Sequence, residues 1–159
     1  MYRRTRNLEV EVTYRKGSNN PRFRGIVLNV VKALSEMEPK AKRFDAELLR
    51  RLRELDAGYA NRNEFPIYTR HGYQVDIYHP RKRIAIEVEK SEVKLVWKIL
   101  AKFSVATRLG RVRYAILITP KRYYGKAMKT PTRPYTEAIR ASEFMAEILW
   151  TRNLAIVGY

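Results

Sequence analysis

Hydrophobic and polar positions alternate over residues 5–14, with Leu8, Val10 and Val12 on one side, as in a half-exposed strand. After a polar turn at 15–20 the period changes. Val27, Val30, Val31, Leu34 and Met37 recur at helical spacing, and Asn20-Pro21 supplies an N-cap followed by proline at the first helical position. Pro39 separates this helix from a second, in which Phe44, Leu48, Leu52 and Leu55 form one stripe and Gly58 is the predicted stop.

The middle of the chain turns to period two. Residues 65–68 read as a short strand and His71-Gly72 as a turn. Residues 73–78 alternate, with Val75 and Ile77 on one face and Gln74, Asp76 and Tyr78 on the other. A turn at 79–82 leads into 83–90, where Ile84, Ile86 and Val88 oppose Ala85, Glu87 and Glu89. Residues 92–109 then read as a helix closed by Gly110, with Val93, Trp97 and Leu100 inward and Lys94, Lys98 and Lys102 along an outer face. The apolar run at 114–119 predicts a central strand, 120–134 a long basic loop, 135–152 a helix and 154–157 a last strand. A strand–helix–strand unit implies a parallel pair, because the helix returns the chain. The pattern therefore predicts an α/β sandwich with a mixed sheet.

At 159 residues and 45% apolar composition, the chain suits one domain with a substantial core. Within a single domain over 1–159, residues 1–40 read as a strand–helix extension. Residues 41–120 form the core, and 121–159 a basic loop and C-terminal helix. The absence of cysteine excludes disulfides and thiolate chemistry, and two histidines are too few for a histidine metal cage. No apolar run approaches the roughly 18 residues that cross a bilayer. The basic N-terminal residues have no apolar segment behind them, so no signal peptide is expected. A soluble, cytoplasmic protein is expected, with no membrane partner.

Charge changes the picture further. Lys and Arg number 33 against 16 acids, a formal +17, and the excess is uneven. Residues 90–133 hold twelve basic side chains and one acid, Glu92, whereas 41–70 are close to balance. A concentrated basic segment predicts a phosphate-facing surface and a nucleic-acid partner. Lys94, Lys98 and Lys102 on the helix, and Lys121, Arg122, Lys126 and Lys129 in the basic loop, are the candidate phosphate-binding residues. Tyr123 and Tyr124 lie among the loop cations and could stack on bases; a solvated loop is the alternative.

Most acids sit on helices beside opposite charges, such as Glu47 with Arg51 and Arg50 with Glu54. Asp76, Glu87 and Glu89 instead lie on polar faces of strands, between apolar neighbours. Asp is disfavoured in strands, so Asp76 needs a reason to be there. Paired as a hairpin, the two strands bring three carboxylates together. Such a group attracts a cation, and oxygen ligands suit Mg²⁺ or Mn²⁺. A salt ladder to Arg81, Lys82, Arg83 and Lys90 is the bland alternative. His79 beside Pro80 reads as a turn residue more readily than as a catalyst.

Val75-Asp76 and, with ten residues between Asp76 and Glu87, Ile86-Glu87-Val88-Glu89-Lys90 resemble the PD-(D/E)XK nuclease superfamily, within a helix–three strands–helix–strand context covering about 41–120. The resemblance implies a restriction-endonuclease-like αβββαβ core with a mixed central sheet flanked by helices. It implies Mg²⁺, with Mn²⁺ as substitute, held by Asp76, Glu87 and the Val88 carbonyl. Glu89 stands where the family usually has lysine. This resembles the Glu-x-Glu variant of BamHI-type restriction enzymes, in which that Glu would position or deprotonate the attacking water. Lys90, through a bulge, and Lys94 are alternatives for the lysine's role. Glu47 or Glu54 could supply the extra acid that some members carry. The implied activity is metal-dependent endonucleolytic hydrolysis of DNA by a homodimer. Archaeal Holliday-junction resolvases are relatives that make junction cleavage an alternative, and a non-catalytic nucleic-acid-binding protein is another.

Overall fold

The computed structural model describes residues 9–15, 18–38, 43–63, 74–90, 93–123 and 131–159. In chain order the elements are β1 (Glu11–Tyr14), α1 (Pro21–Ser35), α2 (Phe44–Leu55), β2 (Ala60–Asn61), β3 (Ile77–His79), β4 (Ile84–Val88), α3 (Leu95–Arg108), β5 (Tyr114–Thr119), α4 (Pro134–Phe144) and β6 (Leu154–Gly158). Among the described residues they build a six-stranded mixed sheet, ordered β1-β6-β5-β4-β3-β2. β4, β5 and β6 run parallel, while β1, β3 and β2 join antiparallel at the flanks. The order follows from burial. Every residue of β4, β5 and β6 is buried, as strands covered on both faces require.

Alternation within those strands makes two cores. Ile84, Ile86, Ile116 and Val157 pack with Phe23, Val27, Leu48 and Leu52 of α1 and α2. Ala85, Ala115, Leu117 and Ile156 pack on the other face with Val96, Leu100, Phe103 and Ala138 of α3 and α4. Each large apolar side chain taken out of water contributes about 1.5–3 kcal/mol. β1 and α1, predicted as an extension, are built into this same sheet and core. α1 begins as its sequence predicts, with the Asn20 side chain accepting the Phe23 N–H at 3.1 Å.

Several boundaries differ from the sequence reading. The predicted strand at 65–68 and the His71-Gly72 turn lie outside the described residues; β2 supplies the first of the three core strands, pairing Ala60 with Tyr78. Trp97 does not turn inward but is 37% exposed, edge-on to Phe144 with ring centroids 5.7 Å apart. The buried stripe of α3 is Val96, Ile99, Leu100 and Phe103, one residue out of phase with Trp97. Leu55 of α2 is also exposed. α4 stops at Phe144 rather than near 152. Beyond it the Arg15 guanidinium takes the carbonyls of Ala146, Leu149 (2.8 Å) and Thr151 (2.5 Å), and Ser104 Oγ accepts the Trp150 N–H at 2.9 Å. These bonds replace helical ones and lead the chain into β6.

The turn between β3 and β4 is locked from α2. His79 is buried; its Nδ1 accepts the Lys82 N–H at 3.3 Å, so Nε2 carries the proton and donates to Asp56 at 3.0 Å. Lys82 also pairs with Asp56, and the Gly58 N–H binds it at 3.0 Å. The ammonium first, then that amide, holds the Asp56 carboxyl down at about 2. Gly58 does not end α2. It lies against the His79 ring, where an added Cβ would stand 2.5 Å from Cε1 and Nε2.

Gly58→Ala is therefore expected to destabilise the fold by about 1–3 kcal/mol through overpacking. Gly25→Ala, on an exposed turn of α1 with nothing within 4 Å of the new Cβ, is expected to stabilise it by up to about 1 kcal/mol. Urea unfolding of the two variants beside the parent protein reads both signs.

Candidate active site

The β3–β4 hairpin sets Ile77 opposite Ile86. One step further out, Asp76 comes beside Glu87. β3 has ended there, and the Asp76 carboxylate continues its ladder: Oδ2 accepts the Val88 N–H at 2.9 Å. That bond explains an aspartate at a strand position. Asp76 also shares a side-chain hydrogen bond with Glu87, so the two carboxyls face each other.

Glu87 points to the α3 side of the sheet, with only 7% of its side chain exposed. The Lys102 ammonium touches Glu87 Oε1 and donates to the Gln74 carbonyl at 2.7 Å. Burial pushes the Glu87 carboxyl up to about 8; the Asp76 charge adds to the rise and Lys102 opposes it. Glu87 thus keeps its proton near neutrality and donates it to Asp76. A pair of hard oxygen donors that can shed a proton in favour of a cation fits a divalent ion such as Mg²⁺, which retains several waters. Among the described residues no three acids gather closely enough to hold an ion, so the expected trio is a pair.

Glu89 is 9% exposed and extends β4 by one bond, its N–H reaching the Ile118 carbonyl at 2.9 Å. Its carboxylate lies near Tyr159, whose phenol is pushed up to about 12 by burial first, then by Asp45 and Glu89. Lys90 turns to the opposite face and pairs with Asp45 of α2 at 3.0 Å, as a strand without a bulge dictates. Glu47 and Glu54 join Arg50 and Arg51 on α2, which packs on the face away from Glu87, so neither supplies an extra acid.

Lys94, just before α3, and Lys98 on it are exposed, as the basic stripe predicts. Lys102 departs from it. Each four-residue step advances a side chain about 40° round a 3.6-residue helix, so two steps bring Lys102 to the edge of the buried stripe. That phase drift is the signal in the sequence for its place beside Glu87. Lys121 lies 3.5 Å from both Glu9 and Glu11, so its charge is answered within the protein, while Arg122 is exposed. Lys126 and Lys129 lie outside the described residues. The Asp56–His79–Lys82 cluster has its histidine bonded at both ring nitrogens, a turn role. No helix among the described residues is long and apolar enough to cross a membrane.

The six-stranded mixed sheet between two helix layers is a restriction-endonuclease-like fold. The solved structure of free BglII superposes with a TM-score of 0.52 over 95% of this chain and 79% of its own, at 19% identity. A family model described as "Putative halobacteria restriction endonuclease" matches residues 40–159, and the chain belongs to that family. No curated protein matches the sequence.

The raised Glu87 carboxyl fixes a sign for pH dependence. The folded protein holds this proton up to about 8, the unfolded chain only to its ordinary 4.5. The stabilisation is full below 4.5 and is lost as pH rises through 8. Glu87→Gln is expected to flatten the loss of stability over that window, by up to about 1.4 kcal/mol per pH unit. Urea denaturation of parent and variant in EDTA at several pH values checks it.

Proposed function

We propose that this protein is a metal-dependent endonuclease that hydrolyses phosphodiester bonds of DNA in the cytoplasm. The single observation that carries the reading is the pairing of the half-buried Asp76 with the buried Glu87, set face to face beside the hairpin register. The family and the +17 charge support it. Asp76, Glu87 and the Val88 carbonyl would hold Mg²⁺, with Mn²⁺ as substitute. Such an ion acidifies water and offsets charge on a phosphodiester under attack.

The chain's own residues do the rest. Asp76 is oriented by the Val88 N–H, which fixes its Oδ2. Glu89 at the end of the sheet positions the attacking water. The water oxygen bonds to phosphorus, one ester P–O bond breaks, and the departing oxygen takes up a proton as the water loses one. Lys94, Lys98 and Arg122, exposed on α3 and after β5, meet backbone phosphates, joined by Lys126 and Lys129. One such site cuts one strand, so duplex cleavage calls for a homodimer with a two-fold axis.

Mg²⁺-dependent nicking of a supercoiled plasmid tests the activity, and a four-way junction beside a linear duplex tests its substrate. Asp76→Ala and Glu87→Ala are expected to reduce nicking to the no-enzyme level while mobility-shift assays still show DNA binding, because each removes negative charge from a phosphate-facing surface. Glu89→Gln should lower the rate with metal binding retained. Nicking by Glu87→Ala at the parent rate would remove the activity from this site.

The surface cations give a separate expectation. Changing Lys94, Lys98 and Arg122 together to Ala should weaken binding equally for unrelated duplex sequences. The slope of log K against log salt should flatten by about 0.9 for each phosphate no longer neutralised. Fluorescence-anisotropy titrations across a salt series measure it.

A further inference from the structure

We propose that Lys102 is the positioning residue of the acid pair, supplying from α3 the fixed cation that the β4 segment Glu87-Val88-Glu89 does not carry. The inference rests on the reading of Asp76 and Glu87 as the site that takes a divalent ion.

Three observations select Lys102. Its ammonium touches Glu87 Oε1 and at the same time donates to the Gln74 carbonyl at 2.7 Å, two residues before Asp76. It therefore ties together the two chain segments that present the acids. Its side chain is only 16% exposed and Glu87's only 7%, so the contact between ammonium and carboxyl is held out of bulk water. There a unit charge acts far more strongly on its neighbours than at the surface. The other candidates are placed elsewhere: Lys90 is on the opposite face with Asp45 at 3.0 Å, and Lys94 is exposed at the start of α3.

Lys102 acts through Glu87. By holding Oε1 it restricts the rotation of the carboxyl. It also sets the charge of the site. With both carboxyls ionised the pair carries two negative charges, and the ammonium reduces this to one. A divalent ion then leaves a net positive site facing the phosphodiester rather than a neutral one. Removing the ammonium should therefore do two opposite things. The acids should hold a divalent ion more tightly, while cleavage should slow because Glu87 is free to rotate and the site has lost its surplus positive charge. Protons compete for the same oxygens, but a doubly charged probe feels the missing ammonium twice as strongly as a proton does.

The experiment is a Mn²⁺ titration by calorimetry or electron paramagnetic resonance on the parent protein, Lys102→Met, Lys102→Arg and Glu87→Gln, alongside Mg²⁺-dependent plasmid nicking. Met fills the same slot without charge, and circular dichroism confirms that each variant is folded. Lys102→Met is expected to bind Mn²⁺ about tenfold more tightly, the factor that one pKa unit of coupling represents. It should also nick with a strongly reduced kcat and little change in KM for plasmid. Lys102→Arg should restore the parent affinity and much of the rate, and Glu87→Gln should lose Mn²⁺. A purely structural lysine would leave Mn²⁺ affinity unmoved. Mn²⁺ affinity unchanged or weakened in folded Lys102→Met, or nicking at the parent rate, overturns the proposal. Parent protein that binds Mn²⁺ but cuts neither plasmid nor junction defeats the nuclease reading instead, and tighter Mn²⁺ in Lys102→Met would still support the charge-setting role.

Discussion

Asp76 completes a backbone ladder with a side chain, and the candidate site depends on that substitution. β3 is three residues long, and its pairing with β4 ends at Ile77 and Ile86. The next amide of β4 in line, that of Val88, would otherwise face a strand that has already turned away. A buried N–H without a partner is costly, and the carboxylate supplies the acceptor at 2.9 Å. The same bond brings Asp76 against Glu87. Strand termination and the assembly of the acid pair are thus one event.

The arrangement reconciles an acidic site with a strongly basic chain. The acids converge with Glu87 under cover, where desolvation raises its carboxyl to about 8 and lets the pair share a proton. The basic groups divide into those used inside the fold and those on its outside. Lys82, Lys90, Lys102 and Lys121 each answer an acidic side chain, and Lys94, Lys98 and Arg122 are exposed. A surface rich in cations thereby surrounds a small region where a further cation is favoured.

Much of this is legible in the sequence, for reasons that individual residues make plain. Asn20-Pro21 starts α1 because a side-chain acceptor and a fixed φ at the first turn are local signals, read without tertiary context. The run 114–119 gives the central strand because only a strand covered on both faces is apolar throughout. Asp76 and Glu87 stand out as acids between buried neighbours, and the hairpin register makes them partners. What escapes the sequence depends on groups distant along the chain. β2 has two residues and no period. The end of α4 is set by Arg15, about 130 positions earlier in the chain. Trp97 falls out of phase with its predicted stripe because one residue's shift on a helix moves a side chain about 100°. Lys102 reads as the third member of a surface stripe, although helical drift carries it to the sheet.

The two tryptophans have a spectroscopic consequence. Both lie outside the cores: Trp97 is 37% exposed against Phe144, and Trp150 is 59% exposed beneath the Arg108 guanidinium, 5.4 Å from its ring. The buried aromatics include Tyr59, Tyr78, Tyr114 and Phe103. Tryptophan emission from this protein therefore reports the outer side of α3 and the segment after α4. Neither core contains a tryptophan, so changes in this emission follow those two outer sites rather than the packing of the interior.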